Sequence, residues 1–132
     1  MKRSAFLSFL LLSLFAVALT AFASVNTNEA ASQLSEKDQN LLKDLQDPEL
    51  STRTKAAKAL CKHCLPQAVD PLIEMMKNDD SYQARILAAM ALYEQGDAKG
   101  FQAIKEQADK DPRQTVRTTL RGLCQKIDQS AS

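Results

Sequence analysis

The stretch that decides the fold runs from Asp47 to Leu60 and reads DPELSTRTKAAKAL. Counting from Arg53, Ala56, Ala57 and Leu60 fall at +3, +4 and +7, the spacing that puts side chains on one face of a helix. The signature returns twice at an interval of 32 residues: Asp79, Arg85, Ala88, Ala89 and Leu92, then Asp111, Arg117 and Leu120. A fixed period of roughly 20 to 50 residues marks a stack of supersecondary units, none of which buries its apolar face alone.

A second periodic segment lies between these copies. Val69, Leu72, Ile73 and Met76 match Phe101, Ile104, Lys105 and Ala108 at the same offset, so each unit reads as a helical hairpin. Pro48 and Pro112 follow repeat aspartates, where proline suits a first helical turn and the carboxylate can accept from free amides. Pro66 opens a helix, Gly96 breaks one, and Asp97 can cap the next. Pro71 is tolerable only if it still falls in a first turn. Helices are predicted over residues 35–46, 48–63, 66–77, 81–95, 98–110 and 112–126, within a domain of residues 35–127. A flexible leader (24–34) is expected before it and a disordered tail (128–132) after it.

These residues resemble the HEAT repeat family, in particular the short HEAT-like units of the phycobilisome-lyase type. Two full copies and a partial third carry the resemblance, from about Leu41 to Ile127. It implies an all-α fold: a short right-handed α-solenoid of about two and a half repeats and six helices. It also implies that Asp47, Arg53, Asp79, Arg85, Asp111 and Arg117 form a ladder between neighbouring hairpins. If exposed, each pair would add only about 0–1 kcal/mol, so the ladder's expected role is to set register. The third copy departs from the pattern at Arg121 and Cys124, as suits a terminal cap with one face in water.

The chain begins differently. Lys2 and Arg3 precede an uncharged run from Ala5 to Phe22 that closes on Ala21-Phe22-Ala23, the pattern of a signal peptide cut after Ala23. A retained anchor is the alternative, since a helix of about 20 apolar residues spans a bilayer. Cleavage would make the protein periplasmic or secreted, with no stable membrane insertion afterwards. Without Lys2 and Arg3, the balance of 17 basic and 16 acidic side chains turns from +1 to −1. Of the five phenylalanines only Phe101 would remain, beside Tyr82 and Tyr93. Alanine-rich helices in close approach fit this composition better than a sheet of β-branched residues. The near-zero charge excludes a strongly basic nucleic-acid arm, and three cysteines exclude a dense disulfide scaffold.

Cys61-Lys62-His63-Cys64 is the one chemically suggestive cluster. A c-type haem site needs histidine directly after the second cysteine, where Leu65 stands. Thioredoxin-like chemistry needs the first cysteine at a helix start, whereas this pair closes a helix whose negative end disfavours a thiolate. A Zn or Cu site would need a fourth ligand, and Cys124, two repeats away, is about 16–20 Å off in a stack of helices. A structural Cys61–Cys64 disulfide is therefore expected, two unpaired thiols being the alternative. Cys124 reads as a small apolar core residue.

Catalysis finds little else to use. His63 is the only histidine, Asp79-Asp80 and Asp109-x-Asp111 fall at repeat junctions, and no Gly-rich phosphate loop is present. No cofactor, metal or small-molecule ligand is expected. The helically spaced Lys55, Lys58 and Lys62 read as a solvated face. Solenoids of this kind present surfaces that bind proteins. Asp70, Glu74 and Met75, paired by period with Gln102, Glu106 and Gln107, are the candidates on the second helices. The expected function is that of an exported, non-catalytic adaptor for an envelope protein or peptide; the alternative is a thiol-disulfide or metal-handling protein centred on Cys61 and Cys64.

Overall fold

The hairpin pattern resolves into six helices. The structure, a computed structural model, describes residues 34–132; the predicted signal peptide and nearly all of the predicted leader lie outside them. The helices are α1 (Glu36–Asp44), α2 (Leu50–Leu60), α3 (Val69–Asn78), α4 (Tyr82–Gln95), α5 (Ala98–Gln107) and α6 (Gln114–Ser130), with a 3-10 turn at Pro66–Ala68. There is no strand among the described residues.

Local chemistry explains the ends. Ser35 Oγ accepts from the Asp38 amide at the start of α1. Asp97 Oδ1 accepts from the amides of Lys99 and Gly100 at the start of α5. Gly96, at φ +69°, ends α4 in the left-handed region. The repeat aspartates act one step earlier than a helix cap: Asp47, Asp79 and Asp111 each accept from the amide two residues on, at 2.8–2.9 Å. These side-chain turns place Pro48 and Pro112 before α2 and α6 instead of inside them. Pro71 is the third residue of α3, in the first turn, where its missing amide has no intrahelical partner to lose.

Two expectations need correction. The segment predicted as one helix from Pro66 begins as a 3-10 turn, and α3 proper starts at Val69. The tail predicted to be disordered is helical through Ser130, because Ile127 is buried and Asp128 holds Lys105 of α5 at 2.6 Å.

The helices form a short α-solenoid in two layers. α2, α4 and α6 pack side by side in one, α3 lies along α5 in the other, and α3 on α4 is the most extensive packing between layers. Counted from the tight turns after α1, α3 and α5, the six helices make three hairpins. Leu60, Leu72, Met76, Leu92, Ile104, Val116 and Leu120 are fully buried along the seam. Ala57 of α2 and Ala88 and Ala89 of α4 have no exposed surface, and side chains this small let packed helix axes approach to about 8–10 Å. α5 comes close to α4 in turn because Gly100 has no side chain; a Cβ there would lie 3.2 Å from Leu92 Cδ2.

Candidate functional site

The repeat arginines and aspartates meet at one end of the hairpins. Arg53 donates to Asp79 through Nε (2.7 Å) and Nη2 (3.1 Å), and Arg85 donates to Asp111 with the same two distances. The remaining Nη1 turns back onto its own hairpin. It binds the carbonyls of Asp47 and Pro48 for Arg53, of Asp79 and Asp80 for Arg85, and of Asp111 and Pro112 for Arg117. Each arginine thus fixes the turn it belongs to and reaches the next hairpin with the planar fork that suits a carboxylate. Asp47 and Arg117, at the two ends of the series, form no such rung among the described residues.

The rungs are not the exposed pairs anticipated from the sequence. Side-chain exposure is 9% for Arg85 and 0% for Asp111, and 17% and 5% for Arg53 and Asp79. Burial alone would raise the Asp111 carboxyl. The Arg85 hydrogen bonds, the Arg113 amide and the charges of Arg85 and Arg117 outweigh it and hold the group below its ordinary value. The hydrogen bonds that Arg53 donates to Asp79 likewise raise the arginine.

Cys61 and Cys64 are free thiols, which corrects the expected disulfide. Cys61 ends α2, half-buried against the core, while the following turn carries Cys64 into solvent, its Sγ 3.8 Å from the Glu94 carbonyl. Burial, followed by the charge of Glu94, pushes the Cys61 thiol up, away from thiolate reactivity. Burial, helped by Asp128, does the same for Cys124, which is half-buried beside the core. His63 Nε2 lies 2.7 Å from Asp38 Oδ1 and ties this turn to α1. Asp38 sits below its ordinary value, through the Ser35 hydroxyl first and His63 second. Among the described residues, no three His, Cys, Asp or Glu side chains gather as a metal site would require.

Sequence reasoning missed the residue that organises this turn. Gln95 Nε2 donates to the carbonyls of Leu60 (2.8 Å) and His63 (3.1 Å), and its Oε1 accepts from the Leu65 amide at 2.7 Å. One side chain from the end of α4 thus satisfies three backbone groups around Cys61–Cys64. Its only signal in the sequence is a polar residue directly before Gly96.

The second-helix candidates do not form one surface. Asp70, Glu74, Gln102 and Glu106 are exposed and Gln107 is half-buried, but Met75 is buried at 5% and belongs to the core. The inward face of α3 is Val69, Leu72, Met75 and Met76, so Ile73 takes the rim position expected of Met75. The exposed polar groups partner one another locally: Asp70 with Lys99, Glu74 with Asn78, and Glu106 with Gln102.

The other layer carries the exposed large hydrophobics. Among the described residues these are Leu50 on α2, 38% exposed, and Met90 on α4, 42% exposed. Beside the two helices, a shallow depression of about 420 Å³ is lined by Glu49, Leu50, Ser51, Thr54 and Lys58 from one side and Gln83 and Leu87 from the other.

Buried rungs at a constant interval, joining successive hairpins, define a protein of the α-solenoid class. The family model for HEAT repeats matches residues 39–124, and the chain belongs to the HEAT-repeat family. No curated protein matches the sequence as a relative.

Proposed function

We propose that this protein is an exported adaptor, a HEAT-repeat scaffold that binds another protein or peptide of the cell envelope and performs no catalysis itself. HEAT repeats are commonly protein-interaction scaffolds, and the N-terminal sequence has the pattern of an export signal. The observation that carries the reading is the buried Arg–Asp ladder. It holds three hairpins in fixed register and so offers a partner a rigid, extended surface with little ordering entropy left to lose.

Fractionation of cells carrying the full gene, followed by capture from the envelope fraction with tagged protein as bait, tests the reading. The expected result is a cleaved chain outside the cytoplasm that retains a defined partner above the bait-free control. A cytoplasmic chain, or one that retains nothing, overturns it. Charge reversal at Glu74 and Glu106 reports on the α3–α5 face: capture that does not change removes that face from the interaction.

A further inference from the structure

We infer that this chain associates head to tail with further copies of itself, Arg117 of one copy closing on Asp47 of the next as Arg85 closes on Asp111. Each end of the ladder carries half a rung, set in the geometry of the complete ones. Arg117 Nη1 donates to the carbonyls of Asp111 (2.7 Å) and Pro112 (3.1 Å), the same grip that Arg53 and Arg85 have on their own turns. Its Nε and Nη2, the atoms with which those arginines bind the next aspartate, have no acceptor among the described residues, and neither is buried. Asp47 is set in the same way at the other end. Its Oδ1 accepts from the Glu49 amide at 2.8 Å, as Oδ1 of Asp79 and of Asp111 accepts from Ser81 and Arg113. Its Oδ2, the atom that takes the arginine Nε in both complete rungs, has no donor among the described residues.

The two halves lie at opposite ends of the stack. In the first layer α4 packs against both α2 and α6, whereas α2 and α6 pack in that layer against α4 alone. Arg53 and Arg85 reach toward the following hairpin, so Arg117, gripping its turn alike, presents its fork on the open side of α6. Asp47, Asp79 and Asp111 recur every 32 residues, one to each hairpin. A second copy carried one further step along the stack therefore sets its α1–α2 hairpin beside α5–α6, with its Asp47 before the fork of Arg117. A copy of this chain satisfies both open halves with one kind of bond, where an unrelated acid would engage Arg117 and leave Asp47 as it is.

Charge favours the same occupant. Arg113, Arg117 and Arg121 stand at i, i+4 and i+8, a spacing at which like charges repel. Arg113 lies over the Tyr82 ring, Arg121 donates to Asp109, and Asp111 is already held by Arg85, so the fork of Arg117 alone awaits a carboxylate. Around Asp47, residues 43–49 hold three carboxylates, Asp44, Asp47 and Glu49, against one base, Lys43. A guanidinium end thus meets a carboxylate end. Arg121 stands where α4 has the buried Ala89, which makes the joint between copies more polar than the packing inside the chain. Such a contact is heterologous and does not close on itself, so it builds open rows of copies, held weakly and sensitive to salt.

Sedimentation equilibrium of the purified protein, from about 10 µM to about 1 mM, tests the joint. The mass is expected to climb with concentration past that of a dimer and to fall back as salt is raised. Asp47→Asn, which keeps a side-chain acceptor for the turn, and Arg117→Gln are each expected to weaken association about tenfold or more. An equimolar mixture of the two is expected to stop at the dimer. There D47N supplies an intact Arg117, R117Q supplies an intact Asp47, and the pair they form has no intact end left to extend it. Circular dichroism checks that each variant is folded.

A wild-type mass that stays at the monomer overturns the proposal, and one that levels at the dimer overturns it in favour of a closed two-fold contact. Association that either variant keeps, or that mixing the two does not restore, overturns it as well. Should Arg117→Gln loosen its own turn, Asp47→Asn and the wild-type series still decide, since the Asp47 carboxylate holds only the Glu49 amide. Self-association does not depend on the adaptor reading, which the envelope capture tests separately.

Discussion

The guanidinium of Arg85 closes on the carboxylate of Asp111 with two hydrogen bonds, Nε to Oδ2 at 2.7 Å and Nη2 to Oδ1 at 3.1 Å, across a gap of 26 residues in the chain. Asp111 also accepts from the Arg113 amide, so its oxygens serve the neighbouring hairpin and their own turn together. Removal of the carboxylate leaves Arg85 charged and buried. Asp111→Ala is expected to destabilise by about 3–5 kcal/mol, as when one partner of a buried pair is deleted. Asp47→Ala, which loses only a turn bond to Glu49, should cost about 1 kcal/mol. Urea unfolding of the two variants checks the contrast; equal losses would deny the ladder its role.

Acid sensitivity follows from the same contact. The folded-state pKa of Asp111 lies below its ordinary value of 3.8. Its contribution is therefore complete at pH values above that figure and is lost as pH falls through the lowered value, where the folded state must take up the proton. Wild-type urea midpoints should drop steeply in this acid range. Asp111→Asn, with no proton to gain, should show a shallower acid limb on a lower baseline.

Ala89 on α4 has no exposed surface. Ala89→Leu is expected to cost about 1–3 kcal/mol through overpacking. A melting temperature equal to wild type would remove Ala89 from the contact between hairpins.

Gln95→Ala should destabilise by about 1–3 kcal/mol, because the Leu65 amide and the Leu60 carbonyl lose their partner beside buried side chains. Thiol labelling provides the second readout. In wild type the exposed Cys64 should react first, with Cys61 and Cys124 lagging; in Gln95→Ala the loosened turn should bring Cys61 forward.

The architecture was legible because its marks are covalent and periodic: the aspartate, arginine and alanine pair recur at a constant interval, and their spacing names both helix and stack. The face of α3 was less legible. Val69, Leu72 and Met76 are buried as their spacing implies, and Met76 matches a buried Ala108, but Met75 beside Met76 is buried too while Ile73 is only half-buried, so the inward stripe lies one position to the Met75 side. Burial of the ladder was hidden for another reason: arginine and aspartate read as surface residues until three hairpins close around them. Gln95 escaped notice because its partners are backbone atoms up to 35 residues away, which leave no trace in side-chain identity.

The back-binding of each arginine to its own turn carries an implication for length. Since Arg53 and Arg85 make equivalent contacts behind and ahead, removal of a whole step of 32 residues preserves both halves of the remaining rung. Excision of residues 48–79 would join Asp47 to Asp80 and still present Arg85 to Asp111, six residues past a turn aspartate as before. Excision of one residue more or fewer would change the six-residue step from the turn aspartate to Arg85 and break the hold of Arg85 on its turn. Size in this molecule is quantised, and the quantum is the distance from one arginine to the next.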